Sequence, residues 1–179
     1  MTTQGLDVLY SRQQIADRVA EMGAQISRDL NGEKLVMVGV LKGAAFFLVD
    51  LSRAIDADAT FDFVAVSSYG NGQRSSGAVK VIKDLDQPIE GKNVLIVEDI
   101  LDSGLTLSYL RNSLLARGPE SLAVCSLLVK RAVAPRPDLE VAYVGFNIEP
   151  EFVVGYGLDV AERYRNLPDI RVYTAGEPE

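Results

Sequence analysis

Between residues 11 and 130 the apolar positions follow two patterns that alternate along the chain. Ser11 has the chemistry of a helix N-cap, and Ile15, Val19, Met22, Ile26 and Leu30 follow at spacings of three or four, up to the stop "NGE". That spacing predicts an amphipathic helix of about five turns. "KLVMVGVL" (34–41) is instead continuous and valine-rich, as suits a strand covered on both faces. "AAFFLVDLSRAI" returns to the helical period. "TFDFVAVSS" (60–68) alternates, and "AVKVI" (78–82) is a second short β-rich run. Between them "YGNGQRSSG" is polar with three glycines, a mobile loop by composition.

The cycle then repeats. "KNVLIVED" (92–99) reads as a buried strand, "TLSYLRNSLLARG" (106–118) as a helix ending at Gly118-Pro119, and "SLAVCSLLVK" (121–130) as another buried strand. Strands alternating with helices predict an α/β fold with a mainly parallel sheet. "RAVAPRPD" (131–138) is a Pro-broken connection. The remainder carries short β-like pieces and many aromatics, and is expected to pack over one end of the sheet rather than to form another β-α unit. One domain is expected over 1–179, with its core at about 34–130.

Composition narrows the chemistry. With 47% apolar and 24% charged residues the chain reads as an ordinary soluble globule. Asp and Glu outnumber Lys and Arg by 25 to 18, a net charge of −7, which disfavours nonspecific attraction to nucleic acid or an anionic membrane. Any bound anion must therefore meet local positive charge or metal. No apolar run approaches a membrane span, and "MTTQGLDVLYSRQQ" lacks the character of a signal peptide, so a cytoplasmic location is expected. There is no His, which removes Ser-His, Cys-His and His-metal mechanisms. The single Cys125 lies in an apolar run and reads as a buried thiol. Acid and base chemistry falls to Asp, Glu, Lys or Tyr.

In an open α/β sheet, ligands collect where strands end and helices begin. "VLIVEDILDSGLT" (94–106) occupies such a place. Backbone N–H groups from Asp102 to Thr106, with the Ser103 and Thr106 hydroxyls, could cradle a phosphate, although "DSG" before a helix is also plain capping chemistry. Glu98 and Asp99 read either as a solvated strand end or as acceptors for sugar hydroxyls, directly or through a divalent cation. A ribose 5-phosphate would satisfy both halves of the stretch.

The same stretch resembles the phosphoribosyl-diphosphate motif of the type I phosphoribosyltransferases. "VGVLKGAAFFLVDL" (38–51), "SSYGN" (67–71), "SLLVKR" (126–131) and "VGFNIEPEFVVGYGLDVAERYRNLP" (144–168) resemble, in order, other segments of the hypoxanthine or hypoxanthine-guanine members. The resemblance implies a twisted parallel sheet with a small hood, built mainly from about 138–179 with an N-terminal contribution. It implies transfer of a 5-phosphoribosyl group from phosphoribosyl diphosphate to N9 of a 6-oxopurine, with Mg²⁺, by a homodimer or homotetramer that engages neither nucleic acid nor membrane.

Roles carry over by position. Glu98 and Asp99 are implied to hold the ribose hydroxyls, partly through Mg²⁺, and Asp102, Ser103, Gly104, Leu105 and Thr106 the 5-phosphate. Lys42 and Gly43 correspond to the pyrophosphate loop, often with a cis peptide before the Lys; a surface lysine is the plainer reading of Lys42. Arg165 is implied to contact the leaving pyrophosphate. Asp159 is implied both on the purine side and as ligand of a second Mg²⁺. Phe152 corresponds to the residue that stacks on the purine, with the Val153 backbone at its edge, although periodicity alone favours a core aromatic. Lys130, which can only donate, suits a 6-oxo group and not the 6-amino group of adenine. Asp102 is the candidate general base at N7, or else a helix cap. Ser68 and Tyr69 stand at the base of the implied lid.

Three positions depart from the family pattern: Leu105 where some members carry Lys, Val160 where an aromatic often follows the Asp, and a Pro one place late in "IEPEF". A xanthine-preferring enzyme stays open. A phosphoribosyl-diphosphate-sensing regulator on this fold would need a basic face, which the composition does not supply, and a dinucleotide-binding fold would need Gly-x-Gly-x-x-Gly where "VGVLKGAA" stands.

Overall fold

The computed structural model describes residues 6–68, 79–131 and 139–174. Ser11 caps the first helix, α1 (Arg12–Leu30), through a reciprocal pair: its hydroxyl accepts from the Gln14 N–H, and Gln14 Oε1 accepts from the Ser11 N–H. The helix stops at Asn31, which turns left-handed at φ 50°. Ile15, Val19, Met22 and Ile26 form its buried stripe, each contributing about 1.5–3 kcal/mol by removal from water.

Three helices flank the main sheet, two on one face and one on the other. The main sheet runs in the order β4 (Val79–Lys83), β3 (Ala59–Ser68), β2 (Leu35–Leu41), β5 (Asn93–Leu101), β6 (Ser121–Lys130), β7 (Tyr143–Ile148). Every neighbouring pair is parallel except β3–β4. The side-chain alternation of a strand divides the core. Leu35 and Met37 of β2 and Leu95 and Val97 of β5 face α1 and α2 (Ala45–Ala54), while Val38, Val40, Val94 and Ile96 face α3 (Leu105–Leu115). Gly39 lies on the α2 side, where a Cβ would stand 2.7 Å from Leu48 Cδ1, so the absent side chain sets how closely α2 approaches.

A second sheet, β1 (Leu6–Tyr10), β9 (Ile170–Tyr173) and β8 (Val153–Val154), is antiparallel and forms the hood, with the N-terminal segment as one edge. Three expectations need correction. β7 comes from the stretch expected to cover the sheet, yet it extends the sheet as a parallel edge strand beside β6, giving the backbone groups of β6 a partner. β5 does not end at Asp99: its ladder with β6 continues to Leu101, opposite Val129. α3 starts at Leu105 and ends at Leu115, short of Gly118.

The order of the strands decides where a ligand can sit. From β2 the chain crosses to β3 on one side, and β5 then returns to the other side of β2. The connections leaving β2 and β5 therefore diverge and open a crevice at their carboxyl ends.

Candidate active site

Lys42 and Gly43 follow β2 (Leu35–Leu41), and Asp102, Ser103 and Gly104 follow β5 (Asn93–Leu101), so both expected loops open onto that crevice. The Leu41–Lys42 peptide is cis. Gly43 packs so tightly on the end of β5 that a Cβ there would collide with Asp99 Oδ2. On the hood side, a Cβ at Gly157 would collide with the Gly43 carbonyl oxygen. These two glycines let the Lys42–Gly43 loop pass between Asp99 and the hood without a gap.

Glu98 and Asp99 lie inside a strand rather than at a solvated end, so their side chains leave opposite faces of the sheet. Asp99 shares the Leu95–Val97 side and meets Gly43. Burial raises its pKa to about 6, against the lowering effects of the Ile100 N–H, at 2.8 Å, and the nearby Arg165 charge, while Asp159 pushes it further up. Glu98 is also raised, by burial and by Asp99, and its Oε2 is shielded from water with no hydrogen-bond partner. Two poorly hydrated carboxylates with spare acceptor capacity suit a hydroxyl-rich or cationic ligand.

Above them, residues 155–165 of the hood fold into two tight turns. Gly155 and Leu158 exchange backbone hydrogen bonds around Tyr156 (φ 50°) and Gly157 (φ 102°). Val160 and Arg163 do the same around Ala161 (φ 48°) and Glu162 (φ 64°). Positive φ at both central residues is the signature of a type I′ turn, and non-glycine residues there carry strain of the kind found at functional sites. Asp159 sits between the two turns. Its Oδ1 pairs with Arg165 Nη2 at 2.8 Å, and its Oδ2 accepts from the Glu162 N–H at 2.8 Å. Arg165 Nη1 donates to the Gly157 carbonyl at 2.7 Å, and its Nε is buried without a partner. Arg165 thus approaches Asp99 and the Lys42–Gly43 loop with donor capacity left over.

The other half of the crevice forms between β5, β6 and α3. Gly104, at φ 71°, is the N-cap of α3, and no side chain caps the helix. Asp102 is therefore not the cap. Gly104 offers no side-chain acceptor to the first-turn N–H groups of Leu105, Thr106 and Leu107, and the helix dipole adds to their attraction for an anion. Asp102 and Ser103 are exposed beside them, and Leu105 turns outward. Lys130, the last residue of β6, is largely buried along its stem and places Nζ 3.1 Å from Asp102 Oδ2. The pair joins a donor to an acceptor at the mouth of the site.

Phe152 is 54% exposed, which overturns the core-aromatic reading; one edge meets Tyr173 at 5.8 Å between ring centroids, leaving a face open. Val153 is buried in the hood sheet opposite Val172. Because Ile148 pairs with Lys130, Phe152 lies four residues from the Lys130 strand end, a chain reach of at most about 14 Å. Ser68 ends β3 at the same carboxyl edge of the sheet. Tyr69 and the rest of the expected lid lie outside the described residues.

The expected residues therefore fall into two groups: Lys42, Gly43, Asp99, Asp159 and Arg165 in one, Asp102 and Lys130 in the other, with the α3 N-terminus next to the second. Sequence reasoning missed Glu162, which joins the first group through both its oxygens, at 2.9 Å from Lys42 Nζ and 3.3 Å from Arg165 Nη2. Its position midway between Asp159 and Arg165 was the available signal. A depression of about 580 Å³ walled by Lys34, Asp58, Thr60 and Asn93 lies at the amino ends of the strands, where α/β sheets do not present ligands.

Residues 5–161 match the family model described as phosphoribosyl transferase domain. The chain belongs to this family. A hypoxanthine-guanine phosphoribosyltransferase of Mycobacterium tuberculosis is 51% identical over 177 residues, covering 93% of this chain and 87% of the relative. The enzyme of that name from Bacillus subtilis is 48% identical over 165 residues, 92% of this chain and 91% of its own. A crystal structure of a hypoxanthine phosphoribosyltransferase from Staphylococcus aureus superposes with a TM-score of 0.89 at 46% identity, covering 94% of this chain and 91% of the other. The sheet order, the hood and the crevice at β2 and β5 are thus those of the type I phosphoribosyltransferase fold.

Proposed function

We propose that this phosphoribosyltransferase serves purine salvage: N9 of hypoxanthine or guanine displaces pyrophosphate from C1 of phosphoribosyl diphosphate, giving IMP or GMP. The observation that carries this reading is the 3.1 Å contact between Lys130 Nζ and Asp102 Oδ2. A 6-oxopurine protonated at N7 presents an acceptor, O6, directly beside a donor, N7–H. Lys130 supplies the donor for O6 and Asp102 the acceptor for N7–H, so the pair complements that edge side by side. Adenine would set its 6-amino group against an ammonium, donor against donor. Asp102, as the proton comes off N7, acts as general base and raises the electron density at N9.

The remaining residues divide the rest of the substrate. The α3 N-terminus at Leu105–Leu107, with Ser103, Gly104 and Thr106, takes the 5-phosphate; Glu98 and Asp99 take the ribose hydroxyls; Lys42, Gly43 and Arg165 take the pyrophosphate. Phe152 supplies its open face to the purine and the Val153 backbone its edge, with Asp159 on the same side. Bond breaking at C1 runs ahead of attack in an oxocarbenium-like transition state, so the Lys42 and Arg165 charges, which meet the departing anion, contribute most to the rate. Ser68 and Tyr69 belong to a lid that keeps water from that cation.

Mg²⁺ enters the same reading. Glu98 and Asp99 fit such an ion, because both are poorly hydrated, raised in pKa by burial, and Glu98 Oε2 is unpartnered. No three His, Cys, Asp or Glu side chains converge among the described residues. An ion held by either carboxylate, or a second at Asp159, would therefore draw the rest of its shell from substrate oxygens and water, the usual arrangement for Mg²⁺. Bound there, it would neutralise charge on the diphosphate. A cytoplasmic homodimer or homotetramer belongs to the same proposal; no helix among the described residues is long and apolar enough to cross a membrane. The exposed Phe46, Phe61 and Ile82 are apolar surface that an assembly would cover.

The test is direct: purified protein, Mg²⁺ and phosphoribosyl diphosphate are incubated with hypoxanthine, guanine, xanthine or adenine in turn, and nucleotide is measured. Hypoxanthine or guanine should be converted, with adenine poorer in kcat/KM by a factor on the order of 10⁴. No product from any 6-oxopurine, or adenine used equally well, would overturn the reading.

A further inference from the structure

We propose that Glu162 is a positioning residue for the diphosphate half of this site: its carboxylate spaces the Lys42 and Arg165 cations and competes with the diphosphate for them. The inference rests on assigning Lys42 and Arg165 to the pyrophosphate. The two oxygens of one side chain are divided between two cations: Oε2 accepts from Lys42 Nζ at 2.9 Å and Oε1 from Arg165 Nη2 at 3.3 Å. Those cations come from opposite walls of the crevice, the loop after β2 and the hood, 120 residues apart for the Lys42 contact. A phosphate group offers the same thing, negatively charged oxygens bridging two donors.

The backbone commits Glu162 to this place. It is a central residue of the second tight turn at φ 64°, and its N–H is tied to Asp159 Oδ2 at 2.8 Å. A residue chosen only for the turn would be Gly or Asn, which adopt positive φ without the same cost. The contact is also easily broken on one side. Lys42 and Glu162 are 67% and 63% exposed, so their pairing is worth little in water. Arg165 is 22% exposed and anchored by Asp159 and by the Gly157 carbonyl. A diphosphate arriving at Arg165 therefore draws Lys42 away from Glu162 and repels the carboxylate. When the anion leaves, Glu162 recaptures the lysine. Its charge thus weakens diphosphate binding and speeds diphosphate release.

Glu162→Gln and Glu162→Gly test this; the second relieves the turn, so the fold is kept. Affinity for pyrophosphate and for phosphoribosyl diphosphate is read by calorimetry with Mg²⁺, together with steady-state KM and kcat, at low and high salt. Both variants should bind either ligand about three- to tenfold more tightly at low salt, from the loss of one exposed repulsive charge. KM for phosphoribosyl diphosphate should fall, kcat should fall with slower pyrophosphate release, and the gain should shrink at high salt. Unchanged or weaker binding in both variants, with the wild type binding normally, overturns the role of Glu162. Failure of the wild type to bind either ligand overturns the site assignment instead.

Discussion

Replacing Gly157 by Ala should loosen the join between the hood and the Lys42–Gly43 loop, and the size of the effect can be worked from two glycines. Gly32, in the turn after α1, has φ 83° and nothing within 4 Å of the position a Cβ would take. Gly32→Ala therefore carries only the backbone cost of a left-handed conformation, about 1–2 kcal/mol. Gly157 has φ 102°, and its added methyl would collide with the Gly43 carbonyl oxygen and stand 3.5 Å from Phe46 Cδ2. Overpacking a close contact adds about 1–3 kcal/mol. For a chain of this size that increment lowers Tm by about 2–12 °C relative to Gly32→Ala. The functional cost should be larger than the stability cost, because the carbonyl that must move belongs to the Lys42–Gly43 loop. A displacement near 1 Å in a positioning element can cost about 100-fold in rate. Thermal melts of both variants, with kcat/KM for phosphoribosyl diphosphate, check this. Equal Tm values for the two, with kcat/KM unchanged in Gly157→Ala, would refute the claim that hood and loop are held in register here.

Two further outcomes follow from the charges. Asp102→Asn should bind phosphoribosyl diphosphate with near wild-type affinity in calorimetry and lose about 10²–10⁴ in turnover; retention of turnover would remove Asp102 as the base. Away from the site, Asp62 accepts from the Phe63 and Asp86 N–H groups at 2.6 and 2.7 Å and from Lys83 at 3.3 Å, and these bonds hold its pKa below the ordinary carboxylate value despite burial. A depressed folded-state pKa contributes stability above the unfolded value, about 3.9, and that stability is lost as pH falls through the folded value. Chemical denaturation should show wild type losing its advantage over Asp62→Asn progressively below about pH 4, and a constant gap down to pH 2 would contradict the assignment.

How much of this was legible in the sequence depended on whether the signal was local. α1 was readable from one end to the other because its cap, its stripe and its stop are written within the helix itself. β2, β5 and β6 were readable because burial on both faces leaves a continuous apolar run. β7 was not, since its residues are half-buried and aromatic, and membership of the main sheet depends on a partner at Cys125–Lys130 rather than on its own period. The two turns of the hood were hidden for a related reason. Type I′ turns are usually announced by Asn-Gly or Asp-Gly, but Tyr156-Gly157 and Ala161-Glu162 occupy the central positions here, held by the Gly157 contact and the Asp159–Arg165 pair. Glu162 was overlooked because its role depends on that unannounced turn.

The arrangement also accounts for how a chain of net charge −7 could hold a polyanion. Its charges are sorted by depth rather than by sign alone. Glu98 and Asp99 are held within β5, on opposite faces, where burial raises their pKa values and leaves acceptor capacity for hydroxyls or a cation. Lys42 and Arg165 stand above them on the loop and the hood, and the N–H groups of α3 face the opposite side. Asp99 alone would repel a diphosphate, but Arg165 is near enough to lower its pKa, so part of the repulsion is already offset before any ligand binds. Beside Lys42 and Arg165 the exposed carboxylate is Glu162, which both cations already hold. This sorting makes Glu162 the position where removing a single negative charge should tighten diphosphate binding without disturbing Glu98 and Asp99.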